Sequence, residues 1–285
     1  MTRIDEQPAL DFALPSGWMG DVQGCVLDMD GVLYRGDTLI PEVPAFLDAL
    51  RRAGIPYSMA TNNSTNTPGQ YVKKLSAMGI DVPATSIVTS GVATATYLRS
   101  RFPAGTTVYI VGMAALRDAV LEDDYFTPAE RDAEIVVSGA NFELRYEMLK
   151  TACLAIRAGA TYIATNADKT FPSEDGLIPG SGAIVAALSA ATGIDPLVVG
   201  KPNPELVQSC VDIMGAAANR TLMIGDRLDT DILAGQRAGT RTVLVLTGVS
   251  DRAEVVESGI VPDVIIDTLD PLTDQLNLIA AGSSR

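Results

Sequence analysis

Apolar and polar positions along this chain follow two rhythms that replace each other in turn. Short continuous apolar runs such as Cys25-Val26-Leu27 read as buried strands. Between them, apolar residues recur at helical spacing, as in Ala45, Phe46, Ala49, Leu50 and Ala53, with Gly54 placed to end that helix. Ile55–Thr61 and Ser86–Thr89 continue the strand series, with helices over Gly69–Met78 and Val92–Arg101. A strand-helix-strand unit of this length is a right-handed crossover, so these strands are expected to be parallel. Tyr34-Arg35-Gly36-Asp37 carries a Gly-Asp turn signal between short apolar stretches and predicts a hairpin flap beside the first strand. Residues 1 to about 20, with Pro8, Pro15 and Gly17 and no periodicity, read as a loosely attached lead-in.

From Thr106 the rhythm restarts. Val108–Val111, Glu134–Val137 and Thr161–Ala164 read as strands, with helices over Ala114–Leu121 and Leu144–Ala158. Three such units can bury a sheet face of their own, which predicts an inserted domain over 104–194 and a discontinuous core from 1–103 and 195–285. The third inserted strand runs into Thr165-Asn166-Ala167-Asp168, a long loop, and then Gly180-Ser181-Gly182 opening an apolar helix. Val185 stands where a dinucleotide fingerprint needs its last glycine, although the helix start can still approach an anion. Beyond the insertion, Leu197–Val199 is expected as a core strand ending at Gly200-Lys201-Pro202, with Asn203 as N-cap and Pro204 as first residue of a helix. Thr221–Ile224, Val243–Leu246 and Val264–Ile266 complete the strands, and a helix over Pro271–Ile279 closes the chain. The fold class is α/β, a parallel sheet with a second α/β unit inserted.

Composition narrows the function. A net charge of −14 argues against nucleic acid and anionic membranes as partners, and it requires local positive charge if the ligand is a phosphate. The chain has no histidine, which removes Ser-His-Asp triads, phosphohistidine intermediates and histidine-ligated zinc. Metal binding must then use oxygen ligands, favouring magnesium, calcium or manganese. Cys25, Cys153 and Cys210 are far apart and read as thiols of a reducing compartment. With no signal pattern and no apolar run of membrane-spanning length, a cytoplasmic location is expected.

Chemistry gathers where the strands run out. Asp28-Met29-Asp30-Gly31-Val32 closes the first strand, and residues two apart on an extended chain point the same way. Two carboxylates held close need a cation between them or a proton on one. A metal would orient a phosphate, a free carboxylate could attack it, and its neighbour could move the proton. Alone, such a pair is more often a solvated turn, and Val32 breaks a calcium-loop pattern. Thr61-Asn62-Asn63-Ser64 ends the second strand with groups able to donate to phosphate oxygens. Lys201 precedes a helix N-terminus, where the dipole disfavours it unless an anion is near; Pro202 excludes a Walker A loop. Gly225-Asp226-Arg227-Leu228-Asp229-Thr230-Asp231 again clusters acids where a buried strand finishes. Polar groups from four strands at one edge of an open α/β sheet mark the edge where ligands bind.

In this order, Asp28-x-Asp30-Gly, Thr61-Asn62-Asn63, Gly200-Lys201-Pro202 and Gly225-Asp226 with Asp231 resemble the signatures of the haloacid dehalogenase superfamily, within it the NagD-like (class IIA) phosphatases. The resemblance runs from about Val22 to Val249, and Ile163-Ala164-Thr165-Asn166-x-Asp168 is similar to the cap segment of that subgroup. It implies a Rossmann-like core with an inserted C2-type cap. It further implies that Asp28 attacks phosphorus to form an aspartyl-phosphate and that Asp30 protonates the leaving alkoxide and then activates water. Asp28, the Asp30 carbonyl and Asp226 would bind magnesium with Asp231 behind them, while Thr61, Asn62, Asn63 and Lys201 would hold the phosphate. Asp30 favours a phosphate ester over a carbon–halogen bond. Asn166, Asp168, Gly180, Ser181 and Gly182 of the cap are expected to meet the leaving group, with cap closure excluding water. The polar loop favours small polyol, sugar or glycolate phosphates; pyridoxal phosphate and nucleotide monophosphates are the alternatives, and a non-catalytic phospho-ligand-binding or regulatory protein is the alternative of another class. The expected partner is a small phosphorylated metabolite, and the resemblance allows a homodimer, since caps in this group can dimerise.

Overall fold

The computed structural model describes residues 13–173 and 175–282. In chain order it has β1 (Gly24–Asp28), a flap of β2 (Tyr34–Arg35) and β3 (Thr38–Leu39), α1 (Val43–Ala53), β4 (Tyr57–Thr61), α2 (Pro68–Ala77), β5 (Ile87–Thr89) and α3 (Ser90–Arg101). The insertion follows with β6 (Thr107–Val111), α4 (Ala114–Leu121), β7 (Thr127–Pro128), β8 (Ile135–Ser138), α5 (Tyr146–Arg157), β9 (Thr161–Ala164), β10 (Thr170–Ser173), β11 (Gly176–Pro179), α6 (Ser181–Thr192) and β12 (Leu197–Val198). The chain closes with α7 (Glu205–Met214), β13 (Thr221–Gly225), α8 (Leu233–Ala238), β14 (Arg241–Val245), α9 (Arg252–Ser258), β15 (Val264–Ile266) and α10 (Asp270–Gly282).

The core sheet has the order β15-β14-β13-β1-β4-β5, and every pairing in it is parallel. All of β1 is buried, as expected for a central strand covered on both faces. From β1 the chain steps outward through β4 and β5, then returns to the other side of β1 at β13. The strand order therefore reverses between β1 and β13, and such a switch point opens a crevice at the carboxyl edge. The register sets Leu27 against Ile224 and Asp28 against Ala60, so Asp28, Thr61 and Asp226 leave the sheet at one level. α1 ends as its sequence predicts, at Gly54 with φ 67°, after packing Phe46, Leu47 and Leu50 inward.

The inserted sheet is also parallel, in the order β12-β9-β8-β6-β7. Here the strand expected in the core at Leu197–Val199 is corrected. Leu197 and Val198 pair with Ile163 and Ala164 of β9, and the Val199 and Gly200 amides continue that ladder onto Ala164 and Thr165. The chain thus leaves along the edge of the inserted sheet. One face of that sheet packs α5 and α6 through Val136, Ala152, Ile156, Tyr162, Ile184 and Leu188. The other side joins the core: Leu116, Val120, Phe126, Ile135 and Ile163 lie in one apolar cluster with Val26, Ala60, Val88, Ala93 and Leu98. Each such fully buried side chain is worth roughly 1.5–3 kcal/mol, so the cap is held by far more than its two connections.

Three smaller expectations also change. The lead-in is anchored from Leu14 onward: Met19 is buried and takes a hydrogen bond to Gln275, while Arg241 lies over the Trp18 ring and pairs with Asp21. Residues 1–12 lie outside the described residues. Asn203 does not cap α7, because its side-chain Nδ2 donates to the Val198 carbonyl and the helix begins two residues later. The long loop before Gly180 contains the antiparallel pair β10–β11. No helix among the described residues is long and apolar enough to cross a membrane.

Candidate active site

Asp28 is the last residue of β1, and the chain turns sharply beyond it. Gly31 has φ 90°, and a Cβ there would collide with the Asp226 carboxylate. A Cβ on Gly248 would strike the same carboxylate. Two loops thus close on Asp226 because two positions carry no side chain. They are tied together where the Thr247 hydroxyl donates to the Gly31 carbonyl at 2.6 Å, and Arg35 of the flap donates to the Thr247 carbonyl. After β13, a π-turn over Leu228–Ile232 folds Asp231 back onto the strand end. The amides of Asp231 and Ile232 both reach the Arg227 carbonyl, at 3.0 and 3.1 Å, and the Arg227 amide donates to Asp231 Oδ2 at 3.1 Å. Single π-turns of this kind are frequent at functional sites. Asp231 then packs so closely on Gly225 that no other residue fits there.

Three carboxylates meet in this pocket. Asp28, Asp226 and Asp231 offer oxygens that all lie within 4.8 Å of one another. Lys201, only 3% exposed, reaches Asp28 Oδ1 and Asp231 Oδ1, the latter at 2.7 Å, with the Ala60 carbonyl at 3.4 Å. Burial works against its charge, but the two carboxylates outweigh burial and hold the ammonium more firmly protonated than usual. Burial, then Asp231, raises the Asp28 carboxyl well above the ordinary range against the pull of Lys201. Asp226 is pushed up to about 7 by burial and by Asp231, in spite of the Val249 amide that donates to its Oδ2 at 2.8 Å. Its Oδ1 is buried with no hydrogen-bond partner among the described residues. An orphaned carboxylate oxygen among other carboxylates suits a hard cation, and the oxygen-only donor set suits magnesium.

Asp30 is exposed and lies beyond the strand, bridged to Tyr34, and the acids that crowd Asp28 are Asp231 and Asp226. Thr61 and Asn63 lie at the β4 end, half-buried: Thr61 Oγ1 accepts from the Asn63 amide, and Asn63 Oδ1 accepts from the amide and hydroxyl of Thr65. The Asn62 carboxamide is committed to protein, since Nδ2 donates to the Lys201 carbonyl at 2.9 Å and Oδ1 accepts from the Lys201 amide at 2.8 Å.

The cap residues differ most from expectation. Asn166 is 4% exposed; its Nδ2 donates to the Asn62 carbonyl at 2.7 Å and its Oδ1 accepts from the Asp168 amide. Asp168 accepts from Asn62 Nδ2 with both oxygens, at 3.1 and 3.2 Å. Gly180 and Gly182 are packed against the backbone of Ala167, Asp168 and Thr170, and their amides are spent on the Lys169 and Asp168 carbonyls. The start of α6 is therefore capped by its own chain rather than open to an anion, and Ser181 is buried beside it. Arg227, Thr247 and the Val249 amide were not foreseen; their positions follow from loop closure, which leaves no periodic trace.

Family comparison agrees with the geometry. A family described as haloacid dehalogenase-like hydrolase matches residues 25–125, and a second, described as HAD-hydrolase-like, matches residues 198–272. An acid sugar phosphatase of Staphylococcus aureus is 38% identical over 244 residues, covering 86% of this chain and 94% of its own. Among solved structures, a single-mutant thermostable NPPase from Geobacillus stearothermophilus superposes with a TM-score of 0.81 at 39% identity, covering 88% of this chain and 97% of its own. A 4-nitrophenylphosphatase from Thermotoga maritima reaches 0.83 at 36% identity, over 90% of this chain and 98% of its own.

Proposed function

The chain belongs to the haloacid dehalogenase superfamily, in its NagD-like class IIA branch, and is a phosphoric monoester hydrolase; from that premise we propose that it releases phosphate from small polar monoesters with magnesium as cofactor. The observation that carries the reading is the meeting of Asp28, Lys201 and the unpartnered Asp226 oxygen at the β1/β13 switch point. Asp28 and Asp226, with the Asp30 carbonyl, would hold magnesium. Both Asp231 oxygens are already engaged, by Lys201 and the Arg227 amide, which suits a supporting part. Bound there, magnesium supplies positive charge that offsets repulsion between the acids and an incoming phosphate.

Asp28 attacks phosphorus, forming an aspartyl-phosphate as the bond to the leaving oxygen breaks. Asp30, open to solvent, gives its proton to the departing alkoxide and then takes one from the water that cleaves the intermediate. Lys201 holds Asp28 in place and balances charge on the transferring group, while Thr61, with Asn62 and Asn63, lines the phosphate end. Sugar or other polyol phosphates are favoured as substrates by the polar strand ends and by the relative named an acid sugar phosphatase. Pyridoxal phosphate and nucleotide monophosphates are the competing substrates. The test is phosphate release from p-nitrophenyl phosphate with and without magnesium, followed by kcat/KM across small esters. Magnesium-dependent release absent from Asp28→Asn is expected; equal release by that variant overturns the reading.

A further inference from the structure

Asn62 sits where three distant segments converge. Its carboxamide meets Lys201 as a neighbouring peptide group would, donating to the Lys201 carbonyl and accepting from the Lys201 amide. Its own carbonyl accepts from Asn166 and from the Ser90 hydroxyl. Gly200, just before Lys201, has no room for a side chain: a Cβ would stand 2.7 Å from Asn62 Oδ1 and 3.0 Å from Asn166 Cβ. The backbone of Lys201 is thus set by Asn62, and its ammonium is delivered from there to Asp28 and Asp231.

A carboxamide can present either end, and only one end fits here. Turned over, Asn62 would oppose donor to donor and acceptor to acceptor along Lys201. Asp168 of the cap fixes the choice, because an ionised carboxylate only accepts and both its oxygens face Asn62 Nδ2. We infer that Asp168 is a positioning residue for phosphoryl transfer, acting through Asn62 on the placement of Lys201, rather than a contact to the leaving group. This rests on the phosphatase reading above. It makes the cap a part of the catalytic geometry for every substrate alike, since Asn62 and Lys201 serve the phosphate end common to all esters.

The experiment compares wild type, Asp168→Ala, Asp168→Asn, Asn62→Ala and the Asn62→Ala/Asp168→Ala pair on p-nitrophenyl phosphate and a small sugar phosphate. Orthophosphate affinity is measured by calorimetry in parallel. Asp168→Ala is expected to lower kcat about 10- to 100-fold, by the same factor on both substrates and with little change in KM, as for a misplaced catalytic group. Asp168→Asn keeps an acceptor for Nδ2 and is expected to recover most of the loss. The double variant is expected to be no worse than Asn62→Ala alone. A KM rise confined to one substrate assigns Asp168 to the leaving group and overturns the inference, as does unchanged kcat in folded Asp168→Ala. Should that variant not fold, Asp168→Ser takes its place with the same expected loss. If wild type hydrolyses neither ester, the phosphatase reading fails by itself. The inference is then read from calorimetry: weaker orthophosphate binding by Asp168→Ala than by Asp168→Asn supports it, and equal binding overturns it.

Discussion

Two acid-bearing strand ends are joined through Asn62 in this molecule and differ in how their acids are satisfied. At the end of β1, three carboxylates meet, one lysine pairs with two of them, and an oxygen of Asp226 has no partner among the described residues. At the end of β9, Asn166 and Asp168 spend their polar atoms on Asn62 and on each other. The first arrangement is costly unless a ligand completes it, whereas the second is complete without one. Residue type does not separate a reactive acid from a structural one; what separates them is whether the protein satisfies the acid by itself.

The largest effect that tests this contrast is at Asp28. Asp28→Asn removes the proposed nucleophile and is expected to lower phosphate release on the order of 10⁴-fold or more in a discontinuous phosphate assay. If Asp168→Ala were to match that loss, the two ends would not differ in kind. Next is Lys201→Met, which leaves buried acids without their cation. It is expected to destabilise the fold by about 3–5 kcal/mol in denaturant titration at neutral pH and to abolish most turnover. Asp226→Ala should lose magnesium affinity, by about 100-fold in calorimetry, and to a far greater degree than Asp168→Ala. Equal magnesium binding by wild type and Asp226→Ala would remove that residue from the metal.

The mildest test is pH. The Asp226 carboxyl rises from 3.8 to about 7 on folding, so its favourable contribution is fully present below about pH 4 and is lost as pH rises through 7. Metal-free protein is therefore expected to melt at lower temperature as pH increases across that window. The gain in Tm from added magnesium should grow over the same interval, since the ion needs the ionised form. A gain that shrinks with pH would move the ion away from Asp226.

The sheet, its parallel strands and the main acids were legible because apolar runs mark buried strands and the chemistry stands at their ends. That rule marks Asp28, Lys201 and the acidic run from Asp226 to Asp231, and the family resemblance singles out Asp226 and Asp231 within the run. Leu197–Val199 reads as a strand of the core sheet, yet Leu197 and Val198 pair with β9, since an apolar run marks a strand and not its partner, and at this sheet edge Leu197 is exposed. Asn62 was legible as a polar residue at a strand end. Its attachment was not, because its partners Asp168 and Lys201 stand 106 and 139 positions away. The anchoring of Met19 and Trp18 likewise depends on Gln275 and Arg241 near the other end of the chain.

The place of β1 between β4 and β13 has a consequence for the protein during its synthesis. β4 follows β1 within one crossover, but β13 emerges only after the entire insertion has been made. Until then the nascent chain carries a strand that the finished fold buries completely, with one hydrogen-bonding edge unpaired, the kind of edge that invites association with other chains. The helix that lies on β1, β4 and β5 is α7, which also follows the insertion, so the face of Val26, Ala60 and Val88 stays open over the same interval. The length of the insertion therefore sets how long the half-built core stands open on the ribosome.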